Sequence, residues 1–391
     1  MVLLSLSCQG QPGNVDDPDL ALVEKAEKLA QETIIIDTHI DVPYRLTRKE
    51  EDISQRTAGG DFDFVRARAG GLDCAFMSVY VPAAVELDSA RLVADQLIDR
   101  VVDLERQWPD KFAVAYSPDD VISLFSRGVV SLPMGMENGS PIGNDLSNLA
   151  YFHERGIRYI TLTHSKANQI SDSSYDPERI WGGLSPFGRE VIPEMNRVGI
   201  MVDVSHVTDE AFFQVLELTK APVIASHSSC RHFTPGWERN MSDEMIRALA
   251  ENGGVIQINF GSMFLNGEYQ RASSELWEYL QEPGIDEDSE EAGEIIARFK
   301  EENPRPKVSV SEIVTHISHG ARLAGIDHVG LGSDFDGVGD NLPIGMEDVS
   351  RYPNLIRELL KAAYSEGDIE KICSGNLLRV WMEVEEVAAG G

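Results

Sequence analysis

The chain predicts an α/β fold, a (β/α)8 TIM-like barrel, on three observations. Strand-like and helix-like segments alternate from end to end, eight apolar runs have the length and β-branched content of buried strands, and most of these runs stop at a histidine or a carboxylate. Parallel strands covered on both faces read as near-continuous apolar runs, with helices returning the chain between them. In such a barrel the active site lies at the C-terminal ends of the strands, which is where these polar residues fall.

Taken in order, helical periodicity at residues 20–31 leads into the first strand, 33–37, and then into Asp37-Thr38-His39-Ile40-Asp41. His39 and Asp41 stand two apart, so on extended backbone they share one side and face one point, as metal ligands do. A second strand, 74–81, is followed by a helix at 90–107; residues 112–117 read as a small extra strand. The third strand, 129–136, delivers Glu137, and the fourth, 157–163, delivers His164. A helix around Pro193 precedes the fifth strand, 200–205, which ends at His206; a helix at 209–218 precedes the sixth, 223–226, which ends at His227. Helix 243–250, the seventh strand 255–260, helix 310–323 and the eighth strand 329–333 follow, the last delivering Asp334, and helix 354–365 comes after it. The gap between strands seven and eight is too long for one helix. It holds Trp277, Tyr279 and an acidic run centred on Asp286-Glu287-Asp288-Ser289-Glu290-Glu291, and reads as a solvated insertion placed to serve as a lid. An open doubly wound sheet would need a glycine-rich phosphate loop after the first strand, and none is there.

At 391 residues, with no Pro/Gly/Ser-rich linker and no repeat of fixed period, residues 15–391 read as one barrel domain. The net charge of −31 repels phosphate backbones and excludes nucleic acid as a partner. Cys8, Cys74, Cys230 and Cys373 form no Cys-x-x-Cys pair, so neither a cysteine zinc site nor a disulfide framework is indicated. No apolar stretch is long enough for a transmembrane span. Residues 1–14 read as a leader: the apolar start ending at Cys8 has the look of a lipoprotein signal remnant, although the charged n-region is missing and Ser5 replaces the usual leucine. The expected setting is bacterial, periplasmic or lipid-anchored at Cys8, and cytoplasmic if the leader is no signal.

Imidazole and carboxylate donors without cysteine suit Zn²⁺, Mn²⁺ or Co²⁺. A carboxylate between two ligand sets can bridge two such ions and so activate water, which points to hydrolysis of an amide, a phosphoester or a lactone. The polar stations carry a further message. Ile36-Asp37-Thr38-His39-Ile40-Asp41-Val42-Pro43, Gly135-Met136-Glu137-Asn138-Gly139, Thr161-Leu162-Thr163-His164-Ser165, Asp203-Val204-Ser205-His206, Ala225-Ser226-His227-Ser228-Ser229 and Gly332-Ser333-Asp334-Phe335-Asp336-Gly337 together resemble the renal (membrane) dipeptidase family of zinc peptidases, in matching order over roughly residues 20–385. The resemblance implies a binuclear zinc barrel that hydrolyses dipeptides, tolerates a D-residue at the C-terminal position and forms a homodimer. It implies that His39 and Asp41 hold the first ion, that Glu137 bridges, and that His206 and His227 hold the second. His164 would stabilise the oxyanion, Asp334 would shuttle the proton, and Arg239 in Glu238-Arg239-Asn240 would bind the substrate's free carboxylate with its planar fork.

There are departures. A tyrosine that helps hold that carboxylate in the animal enzyme corresponds to Phe264, and the animal enzyme's disulfide partner corresponds to Lys166. Residues 385–391 lack a hydrophobic tail for a glycolipid anchor. An N-acyl-amino-acid, lactone or phosphoester hydrolase on the same barrel is the competing expectation, and a non-catalytic peptide-binding protein a third. His153, His232, His316, His319 and His328 fall in helical, loop or pre-strand positions and read as surface or cap residues; Asp37 reads as a supporting hydrogen-bond acceptor, and Trp181-Gly182-Gly183-Leu184 as a turn beside the pocket.

Overall fold

A computed structural model describes residues 18–280 and 290–390; the leader with Cys8 and the centre of the acidic run, 286–289, lie outside the described residues. Ten strands are present: β1 (Ile35–Ile40), β2 (Leu72–Tyr80), β3 (Phe112–Ala113), β4 (Val130–Ser131), β5 (Met134–Glu137), β6 (Ile157–Thr161), β7 (Met201–Asp203), β8 (Ile224–Ser228), β9 (Val255–Ile258) and β10 (Val329–Leu331). All neighbouring pairs are parallel, running β1-β2-β5-β6-β7-β8-β9-β10. The end of β1 meets the segment just after β10, through a parallel bridge of Ile40 with Phe335 and the bonds Asp334 N to His39 O (3.1 Å) and Asp41 N to Phe335 O (2.9 Å). The first and last strands therefore lie side by side, as an eight-stranded barrel requires.

The expected third strand is broken in two. Pro133 has no N–H to give to a ladder, so β4 stops before it and β5 starts after it, while the Pro133 carbonyl still accepts from Met77 N at 2.8 Å. The extra strand is real but only two residues long, and β3 pairs with β4 on the rim. β1 and β8 extend further than their apolar runs indicated and include His39 and His227, because neighbours on both sides satisfy the backbone whatever the side chain's polarity.

Helices lie where the apolar periodicity put them, at Pro18–Glu32, Leu87–Gln107, Asp209–Leu218, Asp243–Glu251, Val310–Ala324 and Tyr352–Lys361, with Pro193 inside Pro186–Val198. Side-chain caps set several starts: Ser117, Ser185, Thr208 and Ser242 each accept from a backbone N–H three residues on. One apolar cluster gathers Ile36, Cys74, Phe76, Tyr159, Met201, Ile224 and Val255 from six strands against Leu377, Trp381 and Val384 of the helix Asn376–Ala389. Fully buried aromatics such as Phe76 contribute roughly 1.5–3 kcal/mol each, and they form the floor on which the polar strand ends stand. Between β9 and β10 the insertion is built from helices Ser262–Leu265, Gly267–Leu280 and Glu290–Glu302, with its own small core of Leu276, Leu280 and Ile295. It is tied to the loop after β10 by Lys300 with Asp340 (2.8 Å) and Arg305 with Asn341 (2.9 Å).

Candidate active site

The strand ends bring together residues spread from 39 to 334. Glu137, at the tip of β5, lies at the centre. Its Oε2 is 3.4 Å from His39 Nε2 and accepts from Ser78 Oγ at 3.2 Å, while its Oε1 is 3.2 Å from His206 Nε2, 3.4 Å from His227 Nε2 and 3.5 Å from His164 Nε2. Asp41 Oδ2 is 3.5 Å from His39 Nε2, and Asp334 gathers with the same pair. His227 Nε2 and His206 Nε2 are 2.8 Å apart, and the His39 and His227 rings stack at 3.8 Å. All of the expected ligand residues thus meet in one place.

Their neighbours fix which ring nitrogen faces the centre. The Tyr159 hydroxyl donates to Thr38 O (2.9 Å), so it must accept from His39 Nδ1–H (2.8 Å), leaving the His39 Nε2 lone pair free. Ser226 Oγ likewise donates to Asp203 Oδ2 (2.6 Å) and accepts from His227 Nδ1 (2.7 Å), so His227 also offers Nε2. Asp203 is held in turn by Thr161 Oγ1 (2.5 Å) and by the N–H groups of Ser205 and Ser226. Hydrogen-bonded partners of this kind orient metal ligands. Asp37 supports both ends of the ring: it accepts from His39 N (3.1 Å), from Ser333 N (2.9 Å) and from the Tyr352 hydroxyl. Tyr159, Asp203 and Tyr352 had no assigned role in the sequence; only the placing of Asp203 three residues before His206 hinted at one.

The donor set fits divalent cations. His39 Nε2 and Asp41 Oδ1 are buried without a hydrogen-bond partner, a costly arrangement unless something charged completes it. Burial, then the Arg239 charge, holds His206 well below the ordinary imidazole range; burial, then His39 and Arg239, does the same for His227, so both are neutral and able to ligate. Burial also lowers His39, but Tyr159, Glu137 and Asp41 outweigh it and push it well above. The carboxylates demand positive charge at Nε2, whether proton or metal ion. Burial raises Glu137, yet His39 and His164 with the other imidazoles hold it well below the carboxylate range. Burial pushes Asp334 up to about 8, with His39 opposing and Asp41 and Glu137 adding to the rise. Asn259 Nδ2 donates to Asp334 Oδ2 at 2.8 Å.

Arg239 is buried beside this cluster. It donates to Ser228 Oγ (2.8 Å) and His227 O (2.9 Å), its Nη2 is 3.1 Å from His206 Nε2, and its guanidinium lies 5.1 Å over the Phe264 ring, while Nε has no partner. Asp336 points elsewhere, to Arg45 (3.2 Å) and Asp61 N (2.7 Å). His316 is spent on Cys230 N and Leu265 O, and His153 is held well down, to about 4, by burial and Arg158. His232, His319 and Asp243 do gather, but His319 is buried and occupied on both nitrogens, by Asp243 (2.7 Å) and Arg322 (2.5 Å).

Comparison with known proteins agrees with this geometry. The model of the membrane dipeptidase family (peptidase family M19) matches residues 23–390. The dipeptidase tcpJ of Claviceps purpurea is 35% identical over 84% of this chain and 71% of its own. The crystal structure of the probable dipeptidase PvdM from Pseudomonas aeruginosa superposes with a TM-score of 0.83 at 29% identity, covering 94% of this chain and all of that one (100%). A metallo peptidase from Rhodobacter sphaeroides, liganded with a phosphinate mimic of the dipeptide L-Ala-D-Ala, does so at 0.76 and 26% identity, covering 90% and 99%. Because the relatives include fungal proteins, the expectation of a bacterial source finds no support, and among the described residues no helix is long and apolar enough to cross a membrane. With a match over nearly its whole length and side chains able to hold a metal ion collected at its strand ends, the chain belongs to the membrane dipeptidase family, peptidase family M19, and is a metallo-dipeptidase.

Proposed function

We propose that the enzyme is binuclear, that its ions are Zn²⁺ with Mn²⁺ or Co²⁺ as substitutes, and that it accepts dipeptides with a D-residue at the C-terminal position. The observation that carries the binuclear reading is Glu137, which turns one carboxylate oxygen to His39 and the other to His206 and His227. His39 and Asp41 would hold one ion, His206 and His227 the other, and Glu137 both. Such ions polarise a carbonyl and make water nucleophilic at neutral pH. Asp334, positioned by Asn259, takes the proton from the attacking water and passes it to the leaving amine. His164, held by burial below the ordinary imidazole range, is neutral and donates to the oxyanion. Arg239 pairs with the free carboxylate, for which its unpartnered Nε is a waiting donor. The D-residue is supported by the L-Ala-D-Ala mimic bound to the Rhodobacter relative.

The test is a panel of L,L and L,D dipeptides beside N-acyl amino acids, lactones and phosphoesters, with zinc-reconstituted protein and metal analysis. Close to two ions per chain and activity on dipeptides, L,D included, are expected. Asp334→Asn should lower kcat at least about 10²-fold with metal retained, whereas Asp336→Asn should lower stability more than turnover. Activity confined to the non-peptide substrates, or full activity with one ion, contradicts the reading.

A further inference from the structure

The loop after β6 brings a second polar side chain to the place where Arg239 waits. Ser174 N donates to His206 O at 2.7 Å and Ser173 pairs antiparallel with Val207, so this segment is stitched to the tip of β7. Arg179, from the same loop, pairs with Glu238 at 2.5 Å and so joins it to the turn that carries Arg239. Tyr175 is thereby laid over the cluster, its ring 5.7 Å from that of His206 and edge-on to Trp237 at 6.2 Å, close enough to Arg239 for the guanidinium charge to act on its hydroxyl. It remains 39% exposed where Arg239 is 3% and His206 5%, so of the three it is the one that faces solvent.

We infer that Tyr175 binds substrate: its hydroxyl donates to the C-terminal carboxylate held by Arg239, and its ring, with Trp237, walls the pocket of the C-terminal side chain. A guanidinium has donors only, so toward Arg239 the tyrosine oxygen can only accept, and its own O–H is left to donate. Phe264, whose ring lies under the Arg239 guanidinium, has no such group. The inference rests on the reading of Arg239 as the carboxylate partner, and the two are separated by testing both residues on the same substrate pair.

The zinc-reconstituted full-length enzyme is assayed with one dipeptide carrying a free carboxylate and the same dipeptide amidated, as wild type, Arg239→Ala, Tyr175→Phe and Tyr175→Ala. Metal content and near-UV circular dichroism check that each variant is folded and loaded. For Tyr175→Phe the KM of the free dipeptide should rise roughly ten-fold, as for loss of a hydrogen bond to a charged group, with kcat nearly unchanged and the amidated substrate unaffected. Tyr175→Ala should in addition blunt the preference among C-terminal side chains, which Tyr175→Phe keeps. If Tyr175→Phe leaves the free dipeptide's KM untouched while Arg239→Ala abolishes discrimination between the pair, the tyrosine inference is overturned and the arginine reading stands. If Arg239→Ala still discriminates, both are overturned.

Discussion

At Gly337 a side chain would collide with the chemistry. A Cβ placed there lies 2.2 Å from Asp334 Oδ1 and 2.4 Å from Asp41 Oδ2, closer than any real contact, and both acceptors belong to the cluster. Gly337→Ala should therefore push Asp334 and Asp41 apart and, with the roles proposed for them, lower kcat/KM by about 10²-fold, as misplacement of about 1 Å does, and weaken metal binding. Gly59→Ala, at a position with nothing within 4 Å, is the control and should leave both unchanged. Kinetics, metal content and thermal melts of the two variants check this; a Gly337→Ala enzyme of normal activity would falsify the crowding. Backbone conformation marks the same region: Asn138, His206, Asp334 and Asp336 all adopt positive φ, a strain that persists only where the surroundings dictate it. Spacing in the sequence pointed to residues that the fold brings into one cluster, since an H-x-D pair at a strand end carries its own geometry. It could not point to Tyr159 or Tyr352, which are ordinary aromatic residues until the closed ring sets them against His39 and Asp37.

The turn after β8 shows how a loop fixes a side chain that it carries. Arg231 grips Asp209 with both terminal nitrogens (2.6 and 2.5 Å) and donates to Glu238 O (3.0 Å) and Asn240 O (2.6 Å). It thus holds the carbonyls on either side of Arg239. Asn240 locks the turn further through Ser229 N, Thr234 Oγ1 and Phe264 O. Arg231→Lys keeps the charge and loses the fork, so Arg239 should loosen: KM for a free dipeptide rises several-fold, kcat changes less, and the amidated substrate is indifferent. Equal losses on both substrates would mean general destabilisation instead. The elements themselves were largely legible, because apolar runs and capped periodic segments are local properties. The break at Pro133 was legible too, in a residue that cannot serve a ladder, yet continuous hydrophobicity from 129 to 136 masked it. Contacts such as Arg231 with the turn are set by loop geometry, which side-chain patterning does not encode.

At the scale of the molecule, the ring converts a spacing of nearly 300 residues between His39 and Asp334 into neighbours, and the opposite ends of the strands bear on stability alone. Asp73, at the start of β2, illustrates this. Its carboxyl accepts from Ile35 N (3.3 Å) and pairs with Arg68 (3.2 Å), linking β1, β2 and the helix Phe64–Gly70 away from the cluster of histidines and carboxylates. Burial nevertheless pushes it up to about 7, against the pull of the Ile35 N–H and Arg68. An acid whose pKa is raised by folding binds its proton more tightly in the folded chain than in the unfolded one. Its contribution to stability is full below the unfolded value of about 4 and is lost as pH rises through about 7. Asp73→Asn keeps an acceptor for Ile35 but has no proton to lose. Between about pH 4 and pH 7 the stability of the wild type relative to this variant should therefore fall steadily, then level off above pH 8. Denaturant unfolding of both proteins across that range measures the difference directly, and common effects of the metal site and of net charge cancel in it. Parallel stability profiles would show that Asp73 ionises as freely in the folded protein as in the unfolded chain, and that Arg68 offsets the cost of its burial in full.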